Sequence, residues 1–144
     1  MKHRVLLIGG GGREHALAFA ISKSASLEAL YCMPGNPGTA AIATNLKGSV
    51  KDFDAIKNAV IENDIDLVVC GPEEPLVLGL RDAIEGDERL KGVLFVGPGK
   101  EGARLEGSKD YAKDFMMRHG VPTAAYKSFS AEQLDQACDF MKTL

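Results

Sequence analysis

No excess of positive charge, no long apolar run and no cysteine pattern occur in this sequence, and each absence removes a class of function. Lys and Arg number 17 against 20 Asp and Glu, for a net charge of −3. A chain so balanced offers no basic field to draw in nucleic acid or an anionic membrane surface. No apolar stretch approaches the roughly 20 residues that cross a bilayer. The first run, Val5–Ile8, is too short for a secretory leader. The three cysteines, Cys32, Cys70 and Cys138, match no zinc or redox spacing. Cys32 and Cys70 lie in apolar runs and read as buried free thiols, which fits a cytoplasmic location. Internal repeats and low-complexity tracts are absent, and no Asp/Glu/Asn cluster has the look of a magnesium site.

What the sequence does have is alternation. Arg4–Ile8, Leu27–Met33, Asp66–Cys70 and Val93–Val96 are short continuous apolar runs, with a weaker one near Asn45–Gly48. Between them lie segments of helical period: Arg13–Lys23, the stretch after a plausible N-cap at Asp52, and Leu76–Ile84. Unbroken apolar strands alternating with helices predict an α/β fold, a doubly wound parallel sheet covered on both faces. Beyond Arg104 the pattern changes. Ser108-Lys109 opens an amphipathic helix ending at His119-Gly120, Thr123–Phe129 reads as a strand, and Ser130 with Gln133 forms a capping box for a last helix. Residues 1–104 are therefore expected to form one α/β domain, and 105–144 the opening of an incomplete second one.

In a parallel sheet the loops at the carboxyl ends of the strands share one edge, where ligands bind. Three such loops are rich in glycine and proline: GGGGREH (residues 9–15), PGNPGT (34–39) and GPEEPL (71–76). The first invites comparison with the dinucleotide fingerprint G-x-G-x-x-G/A, but both frames fail. Counted from Gly9 the third small residue is Glu14, and counted from Gly10 it is His15. The acidic residue expected after the second strand is also missing, because that strand ends Cys32-Met33-Pro34. A dinucleotide-binding oxidoreductase domain is thereby disfavoured. A simple phosphate needs less: glycines for close approach, free N–H groups at a helix start, and a fixed cation such as Arg13. On residue types alone the same residues also fit a tight turn with Arg13 and Glu14 solvated.

GGGGREHAL, PGNPGT, GPEEPLVLGL and LEGSKDYAKDFMMRHGVPTAAY, in this order, resemble the phosphoribosylamine–glycine ligase (glycinamide ribonucleotide synthetase) family of the ATP-grasp superfamily. The resemblance runs from residue 4 to about 129. It implies a Rossmann-like domain that precedes the ATP-grasp fold. It also implies an ATP-dependent carbon–nitrogen ligase of purine biosynthesis, joining glycine to 5-phosphoribosylamine through a glycyl phosphate. Carried over, Gly11, Gly12, Arg13 and Glu14 would hold the phosphate and sugar of phosphoribosylamine, with His15 either donating to the ligand or bracing a loop. Pro34, Gly35, Asn36, Gly38 and Thr39 match the second loop, and Gly71, Pro72, Glu73 and Pro75 the third, with Glu73 accepting from ribose hydroxyls. Lys109 resembles the lysine that reaches the ATP phosphates. ATP with Mg (or Mn) would serve the full-length parent, whose clamping sheets and metal ligands the family places downstream of Leu144. This chain alone is expected to be inactive and to bind neither tightly. The expected partners are small molecules, with no nucleic acid and no membrane, and a monomer is favoured for the parent. The alternative is a non-catalytic sugar-phosphate binding module.

Overall fold

A computed structural model describes residues 2–144, and the chain divides between Ala103 and Arg104 into two compact units. The first unit is built on five parallel strands in the order β3-β2-β1-β4-β5. β1 (His3–Gly9) lies at the centre and is followed by α1 (Gly12–Ser22), then β2 (Leu27–Pro34). The short β3 (Thr44–Asn45) follows, then α2 (Phe53–Glu62) and β4 (Leu67–Cys70). α3 (Glu73–Leu78), α4 (Leu80–Glu85) and β5 (Leu94–Val96) complete the sheet layer.

The doubly wound arrangement follows from β1. Its side chains alternate between faces, and both faces are apolar. Leu6 and Ile8 join Ile56 and Val60 of α2 and Leu80 and Ile84 of α4 in one core. Val5 and Leu7 join Ala18 of α1 with Leu30 and Cys32 of β2 in the other. Four consecutive buried residues, Val5–Ile8, thus feed two cores. Cys32, Cys70 and Cys138 are free thiols; Cys32 is buried and Cys70 half-buried.

Asp52 caps α2 as expected, accepting from the Ala55 N–H at 3.0 Å. The expected single helix over Leu76–Ile84 is instead two. α3 begins earlier, at Glu73, and Gly79 ends it with φ +98° before α4 starts. That left-handed backbone turns the chain sharply, and glycine adopts it without steric cost.

α5 (Lys100–Gly107) is a helix that the sequence pattern did not single out. It crosses into the second unit, where α6 (Lys109–Arg118) and α7 (Leu134–Met141) follow. Ser108 caps α6 by accepting from the Tyr111 N–H at 3.2 Å. The helix ends in a Schellman turn at Gly120 (φ +65°), with Val121 N–H on Met116 O at 2.8 Å. The Ser130 N–H donates to Gln133 Oε1 at 2.9 Å just before α7. The strand expected over Thr123–Phe129 does not form. Among the described residues no other strand pairs with it, and an extended run becomes a strand only through a hydrogen-bonded neighbour.

Candidate functional site

The parallel sheet delivers the three loops to one edge. Gly9 pairs with Pro34 and Ile8 with Cys70, so β1, β2 and β4 end level with one another. Backbone bonds continue past the strand ends: Gly35 N–H donates to Gly9 O and Gly71 N–H to Ile8 O, both at 3.1 Å. Asn36 ties the second loop to the first, its Nδ2 reaching Gly10 O at 3.0 Å and Gly11 O at 3.3 Å. Arg13 lies 3.6 Å from Glu73 of the third loop; both are largely exposed, so the pair adds little stability.

Glu14 does not face outward. It is 5% exposed, an unusual state for a glutamate. Its Oε2 accepts from the Gly11 N–H at 2.7 Å, the side-chain half of a capping box. Its Oε1 is buried without a hydrogen-bond partner. The glycines explain how the carboxylate fits. A Cβ on Gly9 or Gly71 would lie 2.5 Å from Glu14 Cγ, and one on Gly11 would lie 2.9 Å from Oε2. Two of the motif's glycines, with Gly71 of the third loop, are therefore a socket for the protein's own glutamate. Gly10 is closed as well, its absent Cβ falling 2.6 Å from Gly35 O. Gly12 differs. Nothing stands within 4 Å of the place its Cβ would take.

The other positions sort by burial. Thr39 is fully buried and braces the second loop. Its hydroxyl accepts from the Asn36 N–H at 2.7 Å, with Asn45 Oδ1 at 2.8 Å and Asn36 O at 2.9 Å to receive its proton. Asn45, which sequence reasoning did not select, also donates to Asn36 O at 2.8 Å. Its side chain fills the space beside Gly35. The His15 ring lies against Gly38, which fits a loop-bracing contact. Pro75 is a buried residue of α3, Pro72 caps that helix, and Pro34 is exposed. Gly12, Arg13 and Glu73 remain exposed at the sheet edge. Lys109 is the exposed first residue of α6, in the second unit.

Two features set the electrostatics. The N–H groups of Gly12, Arg13 and Glu14 precede the first helical bond of α1, His15 N–H to Gly11 O at 3.0 Å, so the helix start presents free donors. Behind them, burial and then the Glu14 carboxylate push the Cys70 thiol up to about 12. Cys70 stays protonated there and is no nucleophile.

The sequence model of the family described as "Phosphoribosylglycinamide synthetase, N domain" matches residues 3–106. The phosphoribosylamine–glycine ligase of Agrobacterium fabrum is 49% identical over 130 residues, covering 90% of this chain and 30% of that protein. The trifunctional purine biosynthetic protein adenosine-3 of Drosophila melanogaster is 47% identical over 135 residues, covering 90% of this chain and 10% of that protein. Among solved structures, the phosphoribosylamine–glycine ligase of Thermotoga maritima superposes with a TM-score of 0.64 at 30% identity, over 95% of this chain and 30% of its own. An N5-carboxyaminoimidazole synthase from Aspergillus clavatus shares the fold, with a TM-score of 0.63 at 17% identity.

Proposed function

From the premise that the chain belongs to the phosphoribosylglycinamide synthetase (phosphoribosylamine–glycine ligase) family, we propose that it supplies the phosphoribosylamine-binding portion of an ATP-dependent ligase. In that reaction ATP phosphorylates the glycine carboxylate with loss of ADP. The amine of phosphoribosylamine attacks the glycyl phosphate carbonyl, expelling phosphate and leaving glycinamide ribonucleotide. Residues 1–104 carry the sugar-phosphate site, and 105–144 begin the ATP-grasp portion. Lys109 there reaches toward ATP phosphates in the complete enzyme. The residues that would hold magnesium lie downstream of Leu144 in the complete enzyme. Among the described residues no three His, Cys, Asp or Glu side chains come together as a metal site, so no phosphoryl-transfer step is assigned to them.

Gly12 carries this reading. Of the four consecutive glycines it alone has no neighbour that excludes a side chain, so its missing Cβ serves something outside the fold. A phosphate fits that need. It would approach the free N–H groups of the first turn of α1, favoured by the helix dipole, while Arg13 adds a permanent charge able to bind two oxygens. Glu73, exposed beside Arg13, accepts from sugar hydroxyls.

Calorimetry with ribose 5-phosphate tests the site. Gly12→Ala should leave the fold as stable or raise stability by about 0.5–1 kcal/mol, since the position is open and helical. The same change should weaken ribose 5-phosphate binding at least tenfold. Arg13→Ala should cost on the order of 2 kcal/mol of binding, the scale of a charge-assisted contact. Two variants that bind as tightly as the wild type would assign Gly12 and Arg13 to the turn alone.

A further inference from the structure

Counted from Gly9, Glu14 stands where the dinucleotide fingerprint requires its third small residue. In that fingerprint the second glycine brings the backbone up to the diphosphate, and the third lets helix and strand pack closely. This turn keeps the first two glycines and puts a carboxylate in the third place. The carboxylate is not displaced outward. It is 95% withdrawn from solvent and lodged against Gly9, Gly11 and Gly71. One oxygen holds the Gly11 N–H at 2.7 Å, a donor that the fingerprint offers to its ligand. The other oxygen is buried without a partner.

We infer that Glu14 is the specificity-determining residue of this turn: its carboxylate occupies the place a ligand diphosphate would fill, so the turn takes a monophosphate at Gly12 and Arg13 and rejects a diphosphate. The inference rests on the phosphate-binding reading above. Two effects act together. The side chain takes the volume and the N–H that a second phosphate needs. Its charge also repels a second anion in a site shielded from water, where Coulombic interactions are strong. The groups left to attract an anion are the free first-turn N–H groups and the exposed Arg13, enough for one phosphate. The thiol facing Glu14 is that of Cys70, held protonated, so it adds no charge of its own.

The test compares orthophosphate and pyrophosphate binding by calorimetry on the wild-type chain, Glu14→Gln and Glu14→Ala, with ribose 5-phosphate as a third ligand. Glutamine keeps the size and the acceptor for Gly11 while removing the charge, so the fold is retained. Alanine also removes the volume. The pyrophosphate-to-orthophosphate affinity ratio should rise tenfold or more in Glu14→Gln, and further in Glu14→Ala. A purely structural glutamate would shift the melting temperature and leave this ratio alone. An unchanged ratio in folded Glu14→Gln overturns the inference whether or not the alanine variant folds. A wild type that fails to bind ribose 5-phosphate, with the ratio still rising in the variants, removes the reading of the site and leaves this one standing. A flat ratio with ribose 5-phosphate bound does the reverse.

Discussion

Glu14 and Gly71 lie 57 positions apart in the sequence yet share one volume. A methyl group on Gly71 would fall 2.5 Å from both Cγ and Oε1 of Glu14. Making room would cost the carboxylate its burial and its 2.7 Å bond from the Gly11 N–H. Gly71→Ala should therefore destabilise the fold by about 1–3 kcal/mol, the scale of overpacking. In a Glu14→Ala background the clash partner is gone and the cost should fall below about 1 kcal/mol, a coupling typical of residues in contact. Gly9→Ala meets the same side chain but also has φ +124°. Its cost should persist in the Glu14→Ala background, because the backbone itself disfavours a side chain there. Urea unfolding of the single and double variants separates the two cases. Equal rescue at both glycines would show that the Glu14 contact is the whole effect.

At the scale of elements, a short acidic turn fastens α2 to the segment before β5. Asp87 accepts from Arg89 Nε at 2.9 Å and N–H at 3.1 Å, pairs with Arg89 at 2.7 Å and faces Lys57 of α2 at 3.4 Å. The Arg89 hydrogen bonds hold its carboxyl well below the usual carboxylate range. A depressed folded-state value means that this contribution is present above the unfolded value of about 4 and is lost as pH falls below it. Asp87→Asn should unfold at lower urea at pH 7, and its urea midpoint should decline less steeply than the wild type's between pH 4 and pH 2. Parallel slopes would mean that other carboxylates dominate the acid limb. The elements most readable from sequence share a local signal: the apolar runs of β1, β2 and β4, and the caps at Asp52, Ser108 and Ser130. α5 was missed because KEGARLEG carries two glycines and few apolar residues. The division of α3 from α4 depends on one positive φ at Gly79, which apolar spacing does not reveal. Convergence of the three loops was legible because parallel strands impose it. The inward turn of Glu14 was not, because its signal is three glycines from two distant loops rather than anything beside Glu14. Asn45 was hidden likewise, since its role lies in a hydrogen bond to Asn36, and Thr39, named with the second loop, turns out to brace that loop by the same means.

At the scale of the whole molecule, the two units differ in how much they bury. Every buried residue in the described chain lies before Arg104, the last being Ala103 on α5. Both apolar cores belong to the sheet unit. From Arg104 onward no side chain is fully buried, and Met117, Leu134, Met141 and Leu144 are each more than 60% exposed. Helices without a buried face depend on capping and propensity, which make segments of eight to ten residues marginal in water. Amide protection should therefore divide along the chain. Amides of β1, β2 and β4 should exchange only through global opening, and those of α6 and α7 through local opening orders of magnitude faster. Truncation gives a second readout. Removing residues 108–144 keeps α5 entire, including its tie from Lys100 N–H to Asp82 at 2.7 Å. The shortened chain should melt within about 2 °C of the longer one, because no residue of either buried core is lost. It should also bind ribose 5-phosphate with unchanged affinity, since Gly12, Arg13, Glu14 and Glu73 all lie in the retained part. A large fall in melting temperature, or slow exchange in α6 and α7, would show that the second unit stabilises the sheet unit in ways its own burial does not reveal.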